Sequence, residues 1–97
     1  MHARVVTSQL QPGKREELIS IARDSIVPAI REERGFKGFV VLADTNGNNG
    51  IIYSMWETEA DLKASENSGV YQEQVAKLRS VLAAPPVREI YEVTVLS

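Results

Sequence analysis

Cysteine is absent from this chain, and histidine occurs once, as His2. Without cysteine there is no disulfide, no thiolate metal site and no cysteine nucleophile, and one imidazole cannot build a multi-histidine metal centre. No bound metal is expected. Charge of one sign is also missing: the formal net charge is −2, with Lys and Arg interspersed among Asp and Glu. The basic footprint of a nucleic-acid binder is therefore lacking. No stretch approaches the roughly 18 apolar residues of a membrane helix, and "MHARVVTSQL" has no basic segment followed by a long apolar one. The expected location is the cytoplasm, with neither nucleic acid nor membrane as partner. Tryptophan, too, is scarce, and the only one, Trp56, lies in "IIYSMWETEADL".

What is present suits one globular domain over residues 1–97: 43% of the residues are apolar and 25% charged, the proportions of an ordinary soluble protein. Val5, Val6 and Thr7 mark a first strand within residues 2–10. Pro12 and Gly13 then turn the chain, and Glu16 and Glu17 stand where a helix N-terminus favours negative charge. Leu18, Ala22, Ile26, Ala29 and Ile30 follow at spacings of three and four, a buried helical stripe widened by Ile19 and Val27. Pro28 should bend or restart this helix, because its ring meets the carbonyl of Asp24, and the helix should end by Gly35.

"GFKGFVVLAD" and "GIIYSMWE" read as two strands joined by the turn-forming "TNGNNG". In the first of them, alternation sends Phe39 and Val41 one way and Phe36, Val40 and Leu42 the other, which predicts burial on both faces. "TEAD" at 58–61 matches a capping box, with Thr58 bonding an amide three residues on and Asp61 reaching back. The helix it opens is interrupted by "NSG" at 67–69. A second piece carries Tyr71, Val75, Leu78 and Leu82 at helical spacing until Pro85 and Pro86 stop it. "VREIYEVTVL" closes the chain as a strand, with Tyr91, Val93 and Val95 on one face.

The predicted order βαββαβ is the α+β, ferredoxin-like arrangement of a four-stranded antiparallel sheet. Two helical segments cover one sheet face and leave the other, an apolar one, open; a homodimer packed sheet to sheet is expected.

The residues name no catalytic base or nucleophile. Trp56 reads as a core residue sealing sheet to helix or as an aromatic wall with an indole N–H to donate, and one residue can be both. Ser54 and Ile52 alternate onto its face, and nothing adjacent in sequence would activate Ser54 as a nucleophile. Arg4, a charge within a strand, is an ion-pair member or an anion-binding group. Tyr71, on the apolar stripe, is a core residue or a proton donor. Tyr53 should lie on the opposite face from Trp56, toward the dimer sheet, with Tyr91 and Phe39 in core or interface. His2 reads as a solvated terminal residue and "REER" as a solvated helix end. The substrate-binding candidates are Trp56, Ser54, Arg4 and Tyr71.

"PGKREEL", "REERGFKGF", "YSMWETEADLKA" and "PPVREIYEV" together resemble the antibiotic biosynthesis monooxygenase family over nearly the whole chain. The resemblance implies a small dimeric α/β barrel and a substrate-bearing pocket between sheet and helices. It also implies oxidation of a quinol or hydroxylated aromatic without metal or flavin, the deprotonated substrate itself passing an electron to oxygen. Related quinol monooxygenases often carry one histidine about nine residues after the tryptophan and another near the helix break; Ser65 and Val70 stand there in this chain. Against the ligand pattern of the heme-degrading branch, the matching positions hold Val6, Ser65 and Val75, so heme degradation is not expected. The alternatives on this scaffold are a non-oxidative enzyme, such as an isomerase or a degrader of a small metabolite, and a ligand-binding dimer without catalysis.

Overall fold

The structure is a computed structural model that describes residues 1–97. Strand β1 (His2–Gln9) leads through a turn at Gly13, whose φ of 79° suits glycine, into helix α1 (Arg15–Ile21). A π-helical turn (Ala22–Ile26) joins α1 to α2 (Val27–Ile30) without interrupting the rod. Then come β2 (Phe36–Ala43), β3 (Asn49–Trp56), α3 (Glu59–Glu66), α4 (Gly69–Leu78), a 3₁₀ turn (Arg79–Val81) and β4 (Val87–Glu92). The sheet order is β2-β3-β1-β4 and every pairing is antiparallel, the ferredoxin-like topology.

The π turn answers two features of the first helix. Leu18, Ala22, Ile26 and Ile30 recur strictly every four residues and are all buried. On an ideal α-helix each four-residue step overshoots by about 40°, and three steps would carry Ile30 off the buried face. One wider turn resets the stripe. It also receives Pro28: the amide of Val27 bonds the carbonyl of Ala22, and the expected bend at the proline takes this form instead of a break.

Three local expectations are corrected. Phe36 does not share a face with Val40 and Leu42. A bulge between Phe36 and Gly38 shifts the β2–β3 register, which reverses the alternation, and Phe36 packs on the core with Phe39 and Val41. The capping box forms by half: Thr58 Oγ1 accepts from the Asp61 amide at 3.0 Å. The Asp61 carboxylate instead lies against Gly35, in the space that a Cβ at that residue would fill, 3.7 Å from Arg34. Gly35 has φ 81°, so two separate constraints require glycine there. Finally, the last strand stops at Glu92, the partner of His2; beyond it the Val93 amide donates to the Met1 carbonyl at 2.9 Å, and Val95 is 86% exposed.

The register sorts the sheet into two faces. Arg4, Val6 and Ser8 oppose Ser54, Ile52 and Gly50 beneath the helices, with Ile90 and Arg88 across from Arg4 and Val6 on β4. Tyr53 lies on the other face, as alternation predicts. That face carries Leu42, Ile51, Val87 and Tyr91, all exposed large side chains with no helix over them. Burial on both faces is thus absent from the single chain. No helix is long and apolar enough to cross a membrane.

Candidate functional site

Between the sheet and the helices lies a cavity of about 460 Å³. Its floor is the covered sheet face, with Arg4, Val6 and Ser8 of β1, Phe39 of β2, and Ile52 and Ser54 of β3. Ile26 and Ile30, set by the π turn, form one wall, and Tyr71, Gln74, Val75 and Leu78 of α4 form the roof. The segment from Leu82 to Pro86 closes one end, with Arg79 and Arg88 at the rim. That end is fastened to β1: the Ala83 amide donates to the Gln9 carbonyl at 2.8 Å, and the Gln11 amide to the Val81 carbonyl at 2.9 Å.

Arg4 dominates the electrostatics. Only 6% exposed, it donates to Ser65 Oγ at 3.0 Å and lies 3.6 Å from Glu66 Oε2. Its guanidinium carbon sits 4.5 Å from the centroid of the Tyr71 ring and 5.6 Å from that of Trp56, a cation stacked between two aromatics. Burial lowers the guanidinium pKa, and the neighbouring Tyr71 and Glu66 oppose that shift. An arginine so perturbed stays charged at neutral pH. Glu66 Oε2 is also 3.3 Å from Arg88 Nε, yet is aligned for a hydrogen bond with neither arginine. One carboxylate thus stands between two cations, and no acidic residue lines the cavity itself. The potential at this end is positive inside apolar walls.

Ser65, near the end of α3, is buried against Arg4. Its hydroxyl accepts from Arg4 and donates to the Leu62 carbonyl at 2.7 Å, so it anchors the guanidinium and not a ligand. Gln74 is buried at 7% exposure. Lys77 Nζ, a donor only, donates to Ser25 Oγ at 2.7 Å, and the Ser25 hydroxyl donates to Gln74 Oε1 at 3.0 Å. The amide nitrogen of Gln74 is then the end free to face the cavity.

Of the four candidate residues, three line the cavity: Arg4, Ser54 and Tyr71. Trp56 does not. Fully buried, it packs edge-on against Phe36 with ring centroids 5.7 Å apart, and its Nε1 donates to Ser54 Oγ at 3.0 Å. Its indole N–H is taken by Ser54, so Trp56 stands behind the cavity as the hydrogen-bond partner of a lining hydroxyl. His2 is outside the cavity, with Nε2 3.6 Å from Glu59. No cluster of three His, Asp or Glu side chains is placed to hold a metal ion.

The sequence reading did not select Ser8, Gln74, Glu66 or Arg88. The first two were within reach of pattern alone, Ser8 by alternation from Arg4 and Gln74 one turn on from Tyr71. The last two meet Arg4 only through the tertiary fold.

A ferredoxin-like sheet with an arginine-floored, mostly apolar cavity under its helices defines the class: an α+β protein with an internal cavity between its layers. The sequence profile of the antibiotic biosynthesis monooxygenase family matches residues 1–77, and the chain belongs to that family. No curated protein matches it by sequence. Among solved structures it is similar to a monooxygenase from the gene ActVA-Orf6 of Streptomyces coelicolor in complex with the ligand nanaomycin D. The TM-score is 0.82 at 24% identity, over 99% of this chain and 91% of that one. It is also similar to Rv0793 from Mycobacterium tuberculosis (TM-score 0.78, 17% identity, 99% of this chain and 97% of that one). A third is NE2512 from Nitrosomonas europaea, a protein of unknown function (TM-score 0.80, 21% identity, 99% and 91%). At these identities the likeness speaks for the fold.

Proposed function

We propose that the protein is a cofactor-independent monooxygenase acting on a small hydroxylated aromatic or quinol, held in the cavity with its ionised oxygen toward Arg4. The observation that supports this most is a buried cation at one end of a mostly apolar cavity. Such a site favours the phenolate or enolate over its neutral form and excludes water from it. Family membership points the same way, as does the likeness to a monooxygenase that binds nanaomycin D.

In this reading the anion passes one electron to dioxygen, and the radical pair combines into a carbon–oxygen bond. The resulting hydroperoxide loses water. One oxygen atom remains as a carbonyl, the other leaves in water, and the substrate supplies all four electrons. Arg4 holds the anion, the Ser54 and Tyr71 hydroxyls donate to substrate oxygens, and Ile26, Ile30, Phe39 and Ile52 exclude water. Trp56 positions Ser54. No His, Asp or Glu lines the cavity, so ionisation of the substrate rests on stabilisation of its anion and not on a protein base.

Oxygen uptake with a panel of quinols, naphthols and anthrones tests the proposal. One dioxygen consumed per substrate is expected; no uptake above buffer with any of them overturns it. The missing base also favours a second reading, a non-catalytic ligand-binding dimer; a non-oxidative enzyme on the same scaffold is the remaining alternative. Tight binding without turnover marks the former, and product formed under strict anaerobic conditions the latter.

Assembly belongs to the same proposal. Leu42, Ile51, Val87 and Tyr91 on the open sheet face favour a homodimer packed sheet to sheet, in the cytoplasm. Sedimentation showing a monomer at micromolar concentration would refute the dimer.

A further inference from the structure

The buried face of β1 reads Arg4, Val6, Ser8, Leu10, and Ser8 is the anomaly in it. Ser8 is one of the residues that line the cavity, it is 3% exposed, and its hydroxyl has no hydrogen-bond partner. Buried hydroxyls are nearly always paired, and an alanine would fill this strand position without an orphaned polar atom. The fold offers it no partner. Its neighbour on β3 is Gly50, which has no side chain to meet it, and the β4 ladder stops at Thr7, one residue short. Nearby backbone groups of Gln9, Gln11, Val81 and Ala83 are bonded to one another.

We propose that the Ser8 hydroxyl is a second recognition point of the cavity, binding a neutral hydroxyl or carbonyl oxygen at the far end of a ligand whose anionic end is held by Arg4. This rests on the reading that the cavity takes an aromatic anion, but it requires no oxidation. Four residues of extended strand place the Arg4 and Ser8 backbones about 13 Å apart on one face. With a hydrogen bond of about 3 Å at each end, directed along the strand or across it, the two polar atoms of the ligand stand roughly 7–13 Å apart. That is the span of an aromatic acid or phenol with a second oxygen across one ring or two fused rings. Between the poles the ligand meets Val6 and Ile52, which ask nothing polar of it.

Calorimetric titration under nitrogen with two matched pairs tests this: 4-hydroxybenzoate against benzoate, and 6-hydroxy-2-naphthoate against 2-naphthoate. In the wild-type protein at least one hydroxy acid binds about three- to tenfold tighter than its deoxy partner, the worth of one hydrogen bond. Ser8→Ala abolishes that preference and leaves benzoate and 2-naphthoate binding unchanged, while Ser8→Thr, which keeps a hydroxyl, retains it. The melting temperature of ligand-free Ser8→Ala stays level or rises, because an orphaned group has been removed. The proposal is overturned if wild type shows no preference or binds none of the four acids, if Ser8→Ala keeps the preference, or if ligand-free Ser8→Ala melts lower. A preference found without oxygen uptake keeps the Ser8 subsite and discards the monooxygenase; uptake without the preference does the reverse.

Discussion

Two helical layers cover the same face of one sheet, and their chemistries are opposite. The rod of α1, the π turn and α2 lays down Leu18, Ala22, Ile26 and Ile30, an unbroken apolar stripe. The layer of α3 and α4 also buries Leu62 and Leu78, but between them it buries Ser65 and Gln74 and places Glu66 and Tyr71 around the Arg4 guanidinium. The first layer supplies hydrophobic burial; the second holds a charge in low dielectric with partners that orient it. The cavity lies where the two meet, so it is apolar on one side and functional on the other. Substitutions in the first should act on stability and those around Arg4 on binding, and this division can be tested.

The largest effect is expected in the first layer. Leu18 is fully buried in the main core cluster. Leu18→Ala should cost about 2–5 kcal/mol of unfolding free energy in urea denaturation, a large share of the roughly 5–15 kcal/mol of a domain of this size. The fraction that remains folded should bind aromatic anions as wild type does. A tenfold loss of affinity with intact folding would break the division.

Arg4 tests the other side. Arg4→Met keeps an unbranched apolar stem and removes the charge, and affinity for benzoate or naphthoate should fall by about 10–100-fold, the range of a charge-assisted hydrogen bond. Stability should fall by less than the roughly 3–5 kcal/mol of an orphaned buried charge, because Glu66 keeps Arg88 at 3.3 Å. Unchanged affinity would mean that Arg4 is a structural cation and nothing more.

The two layers were also unequally legible. The apolar stripe is a local pattern, and its strict spacing of four even carries the trace of the π turn. The hairpin, the cap at Thr58 and the facing of Ser54 with Trp56 are local in the same sense. The face of Phe36 was not legible, because a bulge is a property of two paired strands and alternation counts only one. Arg4 stood out as a charge in a strand, but its partners Ser65, Glu66 and Arg88 arrive from α3 and β4, and nothing near residue 4 announces them. A stripe can be read from one segment; a charge network is a property of the assembled fold.

Trp56 stands at the boundary. Trp56→Phe keeps an aromatic against Phe36 but removes the N–H that fixes Ser54, and should cost about 1–2 kcal/mol. Because the indole does not touch the cavity, affinity for an aromatic anion should change less than in Arg4→Met, by about threefold or less on the scale of one misoriented hydroxyl. A loss as large as that of Arg4→Met, read by the same calorimetry, would move Trp56 from support to ligand contact.

The smallest effect asks whether the layers communicate at all. Glu33, partly buried in the turn after α2, has its carboxyl pKa raised by burial, against which the charge of Arg4 pulls it down. Because the folded value lies above the unfolded one, the contribution of Glu33 to stability is fully present below the ordinary glutamate range and is lost as pH rises through the raised value. Glu33→Gln, which carries no charge at any pH, should therefore be slightly more stable than wild type near neutrality and level with it in acid. In Arg4→Met the pull of the guanidinium is gone, and the Glu33 carboxyl should titrate at still higher pH, measurable as the midpoint of its side-chain carbon shift by NMR. An unmoved midpoint would show that the apolar layer does not sense the charge opposite it, and the cavity would then be two independent walls and not one electrostatic site.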